Sequence, residues 1–136
     1  MRKFLPIVLC ILCLITSCKD KETEQKLSAI ESAIKQTNPA FRIYPTSNMW
    51  NFLKLDTRNG KITIVQYSVE DNSKTFEYTL SNEAIVNENK PGRFILQPTQ
   101  NIYNFIMLDQ VSGATYQVQW SFEEDKRFVL PIQPSM

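Results

Sequence analysis

Histidine is absent from this 136-residue chain, glycine occurs only three times, and all three cysteines lie within the first eighteen residues. Without histidine, Ser-His-Asp triads and histidine metal sites are excluded. With so little glycine, phosphate-binding glycine-rich loops are excluded as well. Fifteen Lys and Arg balance fourteen Asp and Glu, so there is no basic surplus for nucleic acid. We find no catalytic, metal or cofactor motif and expect a non-enzymatic protein.

The first eighteen residues have the organisation of an export signal. A positively charged start precedes an apolar run over 4–15, which is too short for a membrane-spanning helix. Ile15-Thr16-Ser17-Cys18 resembles the lipobox of bacterial lipoproteins. The resemblance implies a signal peptide over residues 1–17 and lipidation of Cys18 with diacylglycerol and palmitate. The alternative is an ordinary signal peptide in which Cys18 has no role.

The expected location follows from the residue after the cysteine. Lys19 stands where enterobacterial lipoproteins of the inner membrane carry aspartate. The resemblance therefore implies a lipid-anchored protein of the outer membrane, with the membrane as a partner through the lipid on Cys18. Whether the domain faces the periplasm or the cell surface stays open.

A tether and a helix follow the anchor. Residues 18–26 are almost entirely charged or polar and are typical of a tether. Apolar residues then recur at spacings of three and four, which predicts an amphipathic helix over 27–38. Its apolar stripe contains Leu27, Ile30, Ala33 and Ile34. We expect the stripe to pack on the following domain or on a partner helix.

An internal repeat with an offset of 53 residues is the strongest feature of the sequence. Thirteen of the thirty positions in 41–70 are identical to their partners in 94–123, without a gap. With one residue slipped, the similarity continues from 76–80 to 128–132. Neither unit is large enough to fold alone. We therefore expect a single β domain over 39–136, made of repeats 41–80 and 94–132.

Each repeat has the pattern of antiparallel β structure. Side chains alternate with a period of two, and one face of the second repeat carries Tyr116, Val118, Trp120 and Phe122. The loops 56–60 and 109–113 begin with Asp and end with Gly, which is typical of a hairpin whose glycine has positive φ. About four strands per repeat predict eight in all.

The expected fold class is all-β and mainly antiparallel, with one N-terminal amphipathic helix. We expect the two repeats to be related by a pseudo-twofold axis and to close one core as a sandwich or barrel. A propeller contained in one chain would need four or more such units.

Two equivalent aspartates are the first candidates for chemistry. Asp56 and Asp109 occupy the same repeat position, and a duplication axis can bring such carboxylates together to share a proton. Capping of the two hairpin turns is the interpretation that we favour. The acidic cluster Glu123-Glu124-Asp125 can hold Ca²⁺ or form a solvated turn, and the turn is favoured because no calcium-loop spacing accompanies it.

Duplicated aromatic and amide residues are the candidate ligand contacts. Aromatic rings stack on sugars or form protein-binding hot spots, and amides hydrogen-bond glycans or peptides. The interpretation that we favour is structural, with rings in the core and amides fixing strand register. The alternation places Tyr67, Tyr116 and Trp120 on the inward face. The possible contacts are Trp50, Tyr103, Asn51, Asn104, Gln66 and Gln119.

Both repeats contain the pattern Pro-Thr-x-Asn, an aromatic residue, Phe-x-x-Leu-Asp, Gly and Val-Gln-aromatic-Ser. This pattern is similar to small, duplicated, exported proteins of Bacteroidetes, and the resemblance implies a source and a compartment without a mechanism. We expect an outer-membrane lipoprotein whose β domain is a protein-interaction or accessory module. The alternative is a glycan- or peptide-binding surface lipoprotein, which should expose Trp50 or Tyr103. A partner-binding module should instead expose an apolar patch.

Overall fold

The computed structural model describes residues 21–34, 37–81 and 83–135. The predicted signal peptide, Cys18 and the first residues of the tether lie outside the described residues. The chain divides into two compact units after Thr37. Within the described ranges, no helix combines the length and the apolar character that a membrane span requires.

Helix α1 covers residues 21–34, and Thr37 is also helical. Residues 21–26 are helical as well as 27–34, so part of the predicted tether is helical. Lys26 and Glu22 lie one turn apart and form an ion pair at 2.7 Å, which supports the additional turn. Of the predicted apolar stripe, Leu27, Ile30 and Ile34 are each more than half exposed.

The second unit contains, in its described residues, two four-stranded antiparallel sheets with the strands in chain order. Sheet 1 consists of β1 (Phe41–Pro45), β2 (Asn51–Asp56), β3 (Ile62–Gln66) and β4 (Phe76–Thr79). Sheet 2 consists of β5 (Phe94–Pro98), β6 (Asn104–Asp109), β7 (Thr115–Gln119) and β8 (Phe128–Pro131). The all-β class, the eight strands and the two repeats are confirmed, and the sheets are not closed into a barrel.

The strand register repeats along with the sequence. Phe41 pairs with Asp56 in sheet 1, and Phe94 pairs with Asp109 in sheet 2. The predicted hairpins are present, since β2 pairs with β3 and β6 pairs with β7. Their glycines, Gly60 and Gly113, have the expected positive φ values of 82° and 78°. Glycine is suited to these positions because it has no Cβ to clash in the left-handed region.

The two sheets bury one face each in a shared hydrophobic core. Sheet 1 contributes side chains from its two central strands, and sheet 2 contributes side chains from β5, β6 and β7. The fully or almost fully buried members are Leu53, Leu55, Ile62, Ile64, Phe94, Leu96, Phe105, Met107, Val118 and Trp120.

The two repeats turn opposite faces towards this core. Leu53 is completely buried, whereas its equivalent Ile106 is 39% exposed. The reverse holds one strand further, since Trp120 is 1% exposed and its equivalent Tyr67 is 38% exposed. A twofold axis would give equivalent residues equivalent surroundings. The pairing of faces therefore differs from the pseudo-twofold arrangement that we expected. The face of sheet 1 that carries Leu53 packs on the face of sheet 2 that carries Trp120, and these two faces are not repeat equivalents.

Candidate functional site

Two clefts lie at the same place in the two repeats. Cleft 1 has a volume of about 400 Å³ and is lined by Asn48, Trp50, Asn51, Gln66, Tyr67, Ser68, Glu70, Lys74 and Phe122. Cleft 2 has a volume of about 330 Å³ and is lined by Asn101, Tyr103, Asn104, Gln119, Trp120, Ser121, Phe122, Glu123 and Lys126. Apart from Phe122, each residue of one cleft is the repeat equivalent of a residue of the other. All six residues that the sequence predicted as ligand contacts line these clefts.

A tight turn presents the aromatic side chain of cleft 1. Thr46 Oγ1 accepts a hydrogen bond from Asn48 N–H at 3.1 Å, and Asn48 Oδ1 accepts from Trp50 N–H at 2.9 Å. These side chains satisfy backbone donors that the turn leaves unpaired. The Trp50 ring is 37% exposed and packs edge-on against Tyr67, with 5.4 Å between the ring centroids. Cleft 1 therefore has two accessible aromatic rings.

The equivalent turn presents Tyr103 in cleft 2. Its N–H donates to Asn101 Oδ1 at 3.1 Å, and its side chain is 46% exposed. Trp120 lies behind it, with 5.5 Å between the ring centroids. The indole N–H of Trp120 donates to the Ile102 carbonyl oxygen at 3.0 Å. Cleft 2 therefore exposes the tyrosine and buries the tryptophan.

The strand residues after these turns supply amide groups. Asn51 is 2% exposed, and within the described part of the chain its side-chain oxygen Oδ1 has no hydrogen-bond partner. In cleft 2 the equivalent oxygen of Asn104 accepts from Gln117 Nε2 at 3.0 Å. A buried acceptor without a partner costs about 1–3 kcal/mol. The lining of cleft 1 thus includes a residue with a buried acceptor that no described group satisfies.

The two glutamines hold the loops that form one wall of each cleft. Gln66 Nε2 donates to the Lys74 carbonyl oxygen at 3.2 Å, and Gln119 Nε2 donates to the Lys126 carbonyl oxygen at 2.9 Å. These loops contain the 3₁₀ turns Asn72–Lys74 and Glu124–Lys126. The structural interpretation of the glutamines therefore holds for their amide nitrogens.

Charged groups lie at the mouths of both clefts. Glu123 and Lys126 form an ion pair at 2.7 Å beside cleft 2, and both side chains are more than half exposed. Glu70 and Lys74 take the equivalent positions in cleft 1. Hydrogen bonding to Glu123 raises the pKa of Lys126, so the ammonium stays charged at neutral pH. Each cleft offers donors and acceptors around an aromatic centre.

Asp56 and Asp109 cap their own hairpins. Asp56 Oδ1 accepts from the backbone N–H of Arg58 at 3.0 Å, and Asp109 Oδ1 accepts from the N–H of Val111 at 2.9 Å. Burial raises the pKa of Asp56, but its hydrogen bonds with Arg58 outweigh burial and lower it overall. Hydrogen bonding to Arg93 lowers the pKa of Asp109 well below its usual range. Both carboxylates are ionised at neutral pH, which does not suit a pair that shares a proton.

The acidic cluster at residues 123–125 forms part of the exposed 3₁₀ turn beside cleft 2. Glu123 N–H donates to Ser121 Oγ at 3.1 Å, and Glu123 itself pairs with Lys126. Across the described ranges, no three His, Cys, Asp or Glu side chains are grouped to hold a metal ion. The solvated-turn interpretation fits these contacts.

One inward placement was wrong and one cleft residue was missed. Trp120 is buried and Tyr116 packs against the core as expected, but Tyr67 is exposed because sheet 1 turns its other face inward. Phe122 was not predicted, although it lines both clefts. Its repeat equivalent is Val69, so repetition gave no signal for an aromatic residue at that position.

Compared with known proteins, the chain matches no family model, no curated protein sequence and no solved structure.

Proposed function

We propose that this chain is a non-enzymatic carbohydrate-binding module with two equivalent clefts. The observation that carries the proposal is the exposure of Trp50 and Tyr67 in a cleft that is also lined by Asn51, whose buried Oδ1 has no hydrogen-bond partner among the described residues. An unsatisfied buried acceptor is rare in a folded protein and calls for a donor. A hydroxyl of a sugar bound against the aromatic rings would supply that donor.

Carbohydrate chemistry suits this set of groups. A sugar ring has an apolar C–H face that packs on an aromatic side chain, and its hydroxyls both donate and accept hydrogen bonds. The clefts pair one or two exposed rings with amide, carboxylate and ammonium groups. Their volumes, about 330 and 400 Å³, lie at the lower end of the range for small-ligand pockets. Each cleft therefore has room for about one or two sugar units.

Exposure of the aromatic rings favours this function over the protein-interaction module. A glycan binder was expected to expose Trp50 or Tyr103, and both are exposed. The protein-interaction module stays a prediction. Apolar surface is also exposed on the sheet faces outside the clefts. We attribute this surface to contacts between copies of the chain.

We also propose that the module is held at the outer membrane by lipid on Cys18. The lipobox-like segment Ile15-Thr16-Ser17-Cys18 supports this anchor, and acyl chains hold a protein on a membrane by burial of their CH₂ groups. Cys18→Ala should abolish lipid labelling and release the chain into the soluble fraction. Unchanged membrane retention of this variant would contradict the anchor.

The binding proposal is tested by counting sites. A glycan array probed with the labelled full chain identifies an oligosaccharide, and calorimetric titration with it should give two sites per chain. Trp50→Ala should weaken cleft 1 about tenfold, equivalent to 1.4 kcal/mol, and leave one strong site. Tyr103→Ala should do the same to cleft 2, and the double variant should retain no strong site.

Two further variants separate stacking and hydrogen bonding from general disturbance. Trp50→Phe keeps an aromatic face and should retain most of the affinity, whereas Asn51→Ala removes the buried acceptor and should weaken cleft 1 alone. Val111→Ala, on an exposed hairpin loop outside both clefts, is the control. Binding of array peptides but of no glycan, or a glycan affinity that both single aromatic variants leave unchanged, would overturn the proposal.

A further inference from the structure

The sheet faces outside the shared core are rich in apolar side chains. On sheet 1 the outer face exposes Phe41 and Ile43. On sheet 2 the outer face exposes Ile106, Leu130 and Ile132. Contiguous apolar surface of this kind on a soluble domain is typical of an interaction site.

The two outer faces match the two faces that already pack inside the chain. Residues on the outer face of sheet 1 are the repeat equivalents of residues on the inner face of sheet 2. In the same way, residues on the outer face of sheet 2 are the equivalents of residues on the inner face of sheet 1. Thus Phe41 corresponds to Phe94 and Ile43 to Leu96, while Ile106 corresponds to Leu53. The internal interface is therefore a template for a contact between two copies of the chain.

Equivalent ends of the two repeats meet in that internal interface. Ser47 Oγ, in the turn after β1, donates to the Ile102 carbonyl oxygen at 3.4 Å in the turn after β5. At the other edge, the Arg127 guanidinium lies 4.4 Å from the centroid of the Tyr78 ring, which joins the start of β8 to β4. The two sheets thus stack with their equivalent ends side by side. Each sheet keeps one outer face that is not packed against the other sheet.

We propose that copies of this chain associate head to tail, with the outer face of sheet 2 of one copy packed on the outer face of sheet 1 of the next. Such a heterologous contact closes into a ring when its rotation allows. Four-stranded sheets stacked around an axis form closed rings of about four to eight sheets. Because each chain supplies two sheets, the ring contains two, three or four copies.

The surroundings of the two hairpin glycines, Gly60 and Gly113, agree with the proposed contact. A Cβ added to Gly60 would lie 2.8 Å from Ile85 Cγ1, in the segment that joins the two sheets, and 3.5 Å from Phe94 of the adjoining sheet, whereas a Cβ added to the equivalent Gly113 would meet no described atom within 4 Å. The equivalent of Phe94 is Phe41, which is exposed. In the assembly, Phe41 of the next copy takes the open space beside Gly113.

The assembly also completes the second cleft. Phe122 of sheet 2 lines cleft 1, which belongs to sheet 1. Its equivalent Val69 is 76% exposed, and in the assembly Val69 of the next copy covers cleft 2 in the same way. This consequence rests on the proposed clefts, but the association itself does not.

Charge and polarity make the outer faces less apolar than the core. Lys54 and Glu77 form an ion pair on the outer face of sheet 1, where the equivalents of sheet 2 are Met107 and Val129. On sheet 2, Gln117 takes the place of Ile64. These polar positions keep a single chain soluble before it associates, and they make the contact between copies weaker than the internal one.

The mass of the full chain tests the proposal. Native mass spectrometry of the protein purified from cells in mild detergent should give one discrete species that contains two, three or four copies of the lipid-anchored chain. Ile106→Arg and Ile43→Arg should each abolish that species, because each places a charge within one outer face, Ile106 in the central strand β6 and Ile43 in the edge strand β1. Ile30→Arg, which changes an equally apolar exposed residue on α1, should leave it intact.

Mixing the two defective variants separates head-to-tail packing from every symmetric alternative. Ile106→Arg keeps an intact outer face on sheet 1, and Ile43→Arg keeps one on sheet 2, so an equimolar mixture should form a one-to-one dimer and nothing larger. That dimer also shows that both variants are folded. A monomeric wild-type chain at micromolar concentration, or a mixture without the dimer, would overturn the proposal.

Discussion

The two repeats share a backbone and a register but divide their residues differently between core and surface. Positions that define the turns are identical in both, as with Pro45 and Pro98 or Asp56 and Asp109. Other positions on the sheet faces differ, so that buried Ile64 is matched by exposed Gln117. The comparison teaches that turn chemistry specifies the repeat, whereas the face turned inward is set by the neighbouring sheet.

The largest expected difference is between two phenylalanines at the same repeat position. Phe94 is completely buried and Phe41 is half exposed. Phe94→Ala should lower the free energy of unfolding by about 3–5 kcal/mol, because it leaves a cavity in the shared core. Phe41→Ala should cost about 1 kcal/mol or less when the chain is kept monomeric by Ile106→Arg. Urea unfolding of both variants in that background measures the difference. Equal losses of stability would contradict the finding that the two repeats turn opposite faces towards the core.

The paired aspartates provide the next comparison. Asp109 is 2% exposed and Arg93, which donates to it at 2.7 and 3.0 Å, is also buried. Asp109→Asn should destabilise the fold by about 3 kcal/mol, because it removes one partner of a buried pair. Asp56→Asn should cost about 1 kcal/mol, since its partner Arg58 lies partly in solvent. Exposed Asp125→Asn is the control.

The pH dependence of stability follows from the lowered pKa values. Asp109 and Asp56 have lower pKa values in the folded chain than in the unfolded chain, where aspartate titrates near about 3.9. The stabilisation is therefore complete above about pH 4 and is lost as the pH falls further, because the unfolded chain binds protons first. Unfolding measured between pH 6 and pH 2 should show this loss, and Asp109→Asn should flatten the curve more than Asp56→Asn.

The smallest expected difference is between two glycines in equivalent hairpins. Both have positive φ, so alanine costs about 1 kcal/mol of backbone strain at either position. At Gly60 the new Cβ would also lie 2.8 Å from Ile85 Cγ1, whereas at Gly113 it meets open space. Thermal unfolding of the monomeric background should show a larger loss for Gly60→Ala. In the assembled chain, Gly113→Ala should remain the less costly change, because a Phe41 placed as Phe94 is would give the new Cβ only ordinary van der Waals contact.

Most of the fold could be predicted because local patterns determine it. The repeat offset, the proline and Asp-Gly turns and the period-two alternation specify strands and hairpins without tertiary information. The face turned inward could not be predicted. In β3, Ile62 and Ile64 alternate with Val65 and Tyr67, so both faces are apolar and periodicity does not choose between them.

The candidate site was predicted more completely than its surroundings. Duplicated aromatic and amide residues next to a turn were sufficient to select Trp50, Asn51 and Gln66, together with their equivalents, and these residues line the clefts. What the sequence could not show is the state of individual atoms. The orphaned oxygen of Asn51 and the reach of Phe122 into both clefts depend on packing between sheets.

Because the two repeats turn opposite faces towards the core, each repeat must keep its own sequence at its own place in the chain. A chain built from two copies of the second repeat would place the equivalents of Ile106 and Gln117 where Leu53 and Ile64 now fill the core. Recombination that homogenised the repeats would therefore be selected against, even though it would preserve every turn. The two halves arose as copies, and this packing has made each of them irreplaceable by the other.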